Sequence, residues 1–109
     1  MSGWKTISTM GEHARYIDQD GVNVVHVHVE IADPQESADV ENNLYAQFQQ
    51  AAAKNQVRFY RTSQKLSDGG GGVMVYYNGK KIEHKKVLMG SLPALVEAIA
   101  AALEKYNSH

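Results

Sequence analysis

His26, His28 and Glu30 alternate along one apolar stretch, which would set two imidazoles and a carboxylate on one side of a strand. Successive positions on such a face lie about 7 Å apart, and side chains at i and i+2 can share a metal ion. Zinc accepts nitrogen and oxygen donors in a tetrahedral arrangement. His26 and His28 are therefore the candidate metal ligands, and His84 is the residue that could approach from another part of the chain. The plainer reading is a solvated or hydrogen-bonded strand face, because the sequence offers no evident fourth ligand. Arg58, Tyr60, Arg61, Tyr76 and the histidines suggest a second chemistry, an aromatic and basic sheet surface on which single-stranded nucleic acid could stack. A sequence pI near 6.5 argues against it, as does the lack of the aromatic-glycine motifs such surfaces carry. The candidate binding set is thus His26, His28, Glu30, Arg58, Tyr60 and His84.

Other reactive patterns are incomplete. Ser37 has histidines in the chain to serve as bases but no nucleophile-elbow motif around it, so helix capping accounts for Asp33 and Ser37 better than catalysis does. Ser67-Asp68-Gly69-Gly70-Gly71-Gly72 could wrap an anion with backbone N–H groups, yet there is no Gly-Lys-Ser/Thr and no helix opens there; a flexible loop is the simpler reading. Lys80, Lys81, Lys85 and Lys86 cluster near one another, as edge protection or as a surface for an acidic partner. With no cysteine in 109 residues, disulfides, thiolate metal sites, cysteine nucleophiles and dithiol redox chemistry are all excluded for this chain. A net charge of -1 gives no general attraction to nucleic-acid or membrane phosphates. No apolar run approaches the ~20 residues of a membrane span, and no secretory leader is evident, so a cytoplasmic location is expected.

The elements that would position these residues follow from periodicity. Residues 1–109 are of a length for one domain. Trp4 to Ser8 reads as a short strand. Thr9 with Glu12 three residues on reads as a capping box opening a helix to Asp18, with Ala14 and Ile17 facing inward. The rival reading makes residues 14–17 one arm of a hairpin turning at Asp20-Gly21. Val22 to Ile31 is a strand, with Val25, Val27, Val29 and Ile31 on one face and Val24, His26, His28 and Glu30 on the other. Asp33 as N-cap, Pro34 at the first helical position and Glu36 behind it open a helix running to about Lys54. Its stripe is Val40, Leu44, Phe48 and Ala52, and Asn55 is its stop.

Val57 to Thr62 is the next strand. Val73 to Tyr77, Asn78-Gly79 and Lys80 to Leu88 make a hairpin with a type I′ turn and a polar edge strand. Ser91 then caps a helix with Pro93 in its first turn, whose stripe is Leu92, Leu95, Val96, Ile99, Leu103 and Tyr106; Ala100 to Ala102 read as helix propensity alone. The Val22 and Val57 strands, joined by a helix, should be parallel.

This order resembles the thioredoxin-like fold over nearly the whole chain, most specifically from Val73 to Tyr106. The resemblance implies an α/β domain, a mixed sheet of about four to five strands packed by helices; the hairpin reading of residues 14–21 would instead give an α+β sandwich. Where the family places Cys-x-x-Cys at a helix N-terminus, this chain has Asp33, Pro34, Gln35, Glu36 and Ser37, and Gly71-Gly72 stand in place of its cis-proline. Ser63 to Gly72 is too short for the family's third helix. Without that helix, the face bearing His26, His28, Glu30, Arg58 and Tyr60 should be half open. The resemblance therefore implies a redox-inactive protein-binding or adaptor module rather than a catalyst. It would need no cofactor, act on a protein partner or a second copy of itself, and bind neither membrane nor nucleic acid. The alternatives are a metal-binding protein or small metal-dependent enzyme using His26, His28 and Glu30, and a sheet for single-stranded nucleic acid.

Overall fold

The β-branched residues from Val22 onward form a strand with both faces buried, and the sheet is assembled around it. The computed structural model describes residues 4–28, 34–63, 71–85 and 89–108. The central strand, β2 (Val22–His28), pairs in parallel with β3 (Val57–Ser63) and antiparallel with β4 (Gly72–Tyr77). A short β1 (Lys5–Thr6) runs parallel outside β3, and β5 (Lys80–Lys85) is antiparallel outside β4, giving the order β1-β3-β2-β4-β5. The expected parallel pair and antiparallel edge are both present. The turn has its expected conformation, with positive φ at Asn78 (50°) and Gly79 (84°). A register shift between Val75 and Tyr76 leaves Ile82 opposite no partner; such a bulge bends the edge strand away from further pairing.

Helix α1 (Met10–Ile17) begins as its sequence predicts, with the Thr9 hydroxyl accepting from the Glu12 N–H at 3.1 Å. The Glu12 carboxylate reaches one residue further back than a standard box and accepts from the Ser8 N–H at 3.1 Å. This helix removes the hairpin reading of residues 14–21, and with it the sandwich. Ile17 packs inward as expected, but Ala14 is exposed and Tyr16 is buried instead: the Tyr16 ring stacks on Tyr60 with centroids 4.7 Å apart.

Helix α2 (Pro34–Gln47) stops before the expected end. Phe48 leaves helical geometry at φ -117° and ψ 23°, and a second piece, α3 (Gln49–Ala53), packs on β3. The bend keeps Phe48 against the core while redirecting the chain. Asn55 then ends the helix at φ 59°, with Gln56 N–H donating to Ala51 C=O (2.9 Å) and Asn55 N–H to Ala52 C=O (3.0 Å), a Schellman closure.

A 3-10 turn (Met89–Ser91) leads into α4 (Leu92–Asn107); Ser91 makes no side-chain capping bond, because this tighter turn already occupies the helix entrance. Ala102 is core, against the propensity-only reading of that alanine run: it is buried beside Leu95, Ile99 and Leu103.

Two apolar layers result. On one face, Val22, Val24, Phe59, Val73 and Val75 meet Val40 and Leu44 of α2 and Leu95 and Ile99 of α4, with Trp4 at the margin. On the other, Val25, Val27, Tyr60, Met74 and Tyr76 meet Ile7 and Tyr16. The parallel register sets Val25 beside Tyr60 and His26 beside Arg61. His26 and Tyr60 therefore occupy opposite faces, both buried, and the single half-open face expected from the sequence does not exist. Alternation explains the correction: Arg58 and Tyr60 are in phase with Asn23 and Val25, one residue out of step with His26.

Candidate functional site

An imidazole buried in a sheet needs a partner, and α2 supplies one. Ser37, Val40, Glu41 and Leu44 fall at i, i+3, i+4 and i+7, so Glu41 shares the sheet-facing side of the helix with the apolar stripe and is itself buried. His26 Nδ1 lies 2.7 Å from Glu41 Oε2, and Arg61 Nη2 donates to Glu41 Oε1. With the carboxylate ionised, the shared proton is on Nδ1 and His26 donates. Glu41 thus spends both oxygens, one on each neighbour. The Trp4 indole N–H donates to the Glu41 backbone C=O at 3.0 Å, and its ring meets His26 edge-on with centroids 6.2 Å apart. Three elements, β2, β3 and α2, converge on one carboxylate.

This cluster forms one wall of a cleft of about 630 Å³. The cleft lies at the carboxyl ends of the parallel strands: Thr6, Ile7 and Ser8 close one side, Arg61, Thr62 and Ser63 another, and Ser37, Ala38 and Asn42 of α2 the third. The chain leaving β1 passes to one face through α1, and the chain leaving β2 passes to the other through α2. Ligands of open α/β sheets bind in crevices at such reversals. Two hydroxyls at the cleft, Ser37 Oγ and Thr62 Oγ1, are buried with no hydrogen-bond partner among the described residues. The Arg61 side chain, by contrast, is 37% exposed.

The residues singled out from the sequence disperse. His26 is 2% exposed and bound to Glu41; His28 ends β2 opposite Ser63; Glu30 lies outside the described residues. Arg58 serves the other face, donating from Nη1 to the Asp20 C=O (2.8 Å) and from Nε to Asn55 Oδ1 (3.2 Å). Tyr60 is buried, its hydroxyl donating to Gln19 Oε1 at 3.2 Å. His84 Nε2 lies 3.1 Å from the Gly71 C=O, opposite Met74 and away from His26. Among the described residues, no three His, Asp or Glu side chains are placed to hold one metal ion. Tyr60 and Tyr76 are packed inside and offer no stacking surface for bases.

Sequence reasoning missed Glu41 altogether and set Ser37 aside. The available signal was a carboxylate interrupting the inward stripe of α2. Aligning the strand starts at Val22 and Val57 would also have brought Arg61 beside His26.

Phenol chemistry belongs to the other face. The Lys5 ammonium, 4.8 Å from the centre of the Tyr16 ring, lowers the Tyr16 pKa, with Arg15, which donates to the hydroxyl, adding to the effect, while the Lys5 ammonium is raised in return. Burial raises Tyr60 and Tyr76 above the usual phenol value.

No known family model matches the sequence, and no curated protein matches it. Solved structures do. A thioredoxin of Malassezia sympodialis superposes with a TM-score of 0.66 over 94% of this chain and 93% of its own, at 16% identity. A mutant thioredoxin of Halobacterium salinarum gives 0.67 over 94% and 95%, at 10% identity. The thioredoxin of Fasciola hepatica gives 0.67 over 90% and 98%, at 11% identity. The chain has the thioredoxin-like fold, built by a sequence that contains no cysteine.

Proposed function

We propose that this chain is a redox-inactive thioredoxin-like binding module that engages a protein partner through the cleft between β1, β3 and α2. One observation carries the reading: a His26–Glu41–Arg61 cluster, with His26 and Glu41 buried and Arg61 partly exposed, forms the wall of an open cleft instead of being sealed inside the core. A buried ion pair contributes little net stability compared with apolar packing of the same volume. A role in shaping and charging a binding surface accounts for it better.

Ala38 is exposed and lines the cleft, so Ala38→Trp fills it without disturbing the core; Ala101→Trp, on the exposed side of α4, is the control. Capture from nuclease-treated native lysate should recover a stoichiometric protein with the parent chain and with Ala101→Trp, and lose it with Ala38→Trp. Equal recovery by all three would remove the cleft from the account. Sedimentation of the parent chain alone tells a second copy from a different partner.

A further inference from the structure

We propose that the cleft recognises a carboxylate on a short apolar stem, such as a peptide C-terminus or a small free carboxylic acid. The proposal rests on the cleft being the binding surface, and it adds the chemistry of what enters. Its foundation is the state of Ser37. This side chain is 6% exposed, faces the sheet in line with Glu41, and its hydroxyl has no partner among the described residues. A buried hydroxyl without a partner is costly, and it becomes useful when an acceptor enters the cleft. Ser37 also stands in the opening turns of α2, a helix of 14 residues whose N-terminal end favours negative charge.

Charge selects the ligand class. Among the described residues, Glu41 and Arg61 are the permanently charged side chains lining the cleft, and they offset one another. Both Glu41 oxygens are already engaged, whereas the Arg61 side chain, which lines the cleft, is 37% exposed. A monoanion that meets the Ser37 hydroxyl and the Arg61 side chain is set against the partial positive charge of the α2 N-terminus, about half a charge. A phosphate dianion brings twice the negative charge against the same helix end. Ile7 and Ala38 supply apolar wall for a stem. The volume falls within the range of about 300–1,000 Å³ usual for small-ligand sites.

The test is a set of amide chemical-shift titrations of the isotope-labelled full chain with four probes: butyrate, tetra-alanine with a free C-terminus, the same peptide amidated, and inorganic phosphate. Butyrate or the free-acid peptide should shift the amides of Ser37, Ala38 and Arg61 to Ser63, and whichever of the two binds identifies the source of the carboxylate. Arg61→Gln should weaken binding about tenfold or more, the usual loss when a charged hydrogen bond is removed. Ser37→Ala should weaken binding several-fold while leaving the melting temperature unchanged or raised, which a purely structural serine would not do. The proposal is overturned if the amidated peptide binds as well as the acid, if phosphate binds more tightly than butyrate, or if neither acid shifts these amides. Any of those results together with an Ala38→Trp defect in capture would overturn the carboxylate alone and leave the binding cleft standing.

Discussion

At the scale of single residues, the structure turns on how buried polar groups are satisfied. Glu41 joins three elements through one carboxylate, so removing it should break the contacts it makes to His26 and Arg61 together. Glu41→Ala is expected to lower stability by about 2–4 kcal/mol, toward the lower end because Arg61 is partly solvated; denaturant unfolding of the variant checks this. The tyrosines give a second prediction. Tyr60 and Tyr76 are held above the ordinary phenol value by burial, so their neutral forms favour the folded state. Their contribution is complete below pH about 10 and is lost as pH rises through their folded-state values. Tyr16, lowered by Lys5 and Arg15, works in the opposite sense. Ultraviolet titration of Tyr→Phe variants should find Tyr16 ionising first, with Tyr60 and Tyr76 last and coupled to alkaline unfolding. Early ionisation of Tyr60 would contradict its packing against Tyr16.

At the scale of elements, local signals and register account for different parts of the fold. The Thr9 cap, the Asn55 stop, the Asn78-Gly79 turn and the parallel β2–β3 pair were legible in the sequence because each depends on neighbours within a few residues or on alternation along one strand. The break at Phe48 and the pairing of His26 with Arg61 were not, because they depend on which strand lies beside which and on where α2 docks. The hairpin turn also has a long-range role that its two residues alone do not disclose. Asn78 Oδ1 accepts from the Gly21 N–H at 2.7 Å, and the Asn78 N–H donates to the Gly21 C=O at 3.0 Å, tying the turn to the start of β2. Gly79 sits at φ 84°, and a Cβ there would lie 2.8 Å from Asp18 Oδ1. Gly79→Ala should therefore cost about 1–2 kcal/mol, most of it from the left-handed backbone, and thermal unfolding measures it.

At the scale of the whole molecule, the fold is thioredoxin-like and the sequence that builds it contains no cysteine. The fold was legible because order, spacing and hydrophobic phase are properties of the chain. The site was legible only in part: His26 was grouped with Tyr60, which the parallel register sets on the other face, whereas Glu41 and Arg61 meet in space beside His26 and Ser37 lines the same cleft. No helix among the described residues is long and apolar enough to cross a membrane. What the architecture offers for function is the cleft at the carboxyl ends of its parallel strands. The most direct test is calorimetric titration of the captured partner into the parent chain, Ala38→Trp and Ala101→Trp. The account predicts saturable binding to the parent chain and to Ala101→Trp, weakened at least about tenfold by Ala38→Trp, a loss of about 1.4 kcal/mol or more. Equal affinity for all three, with the fold of each intact, would contradict it.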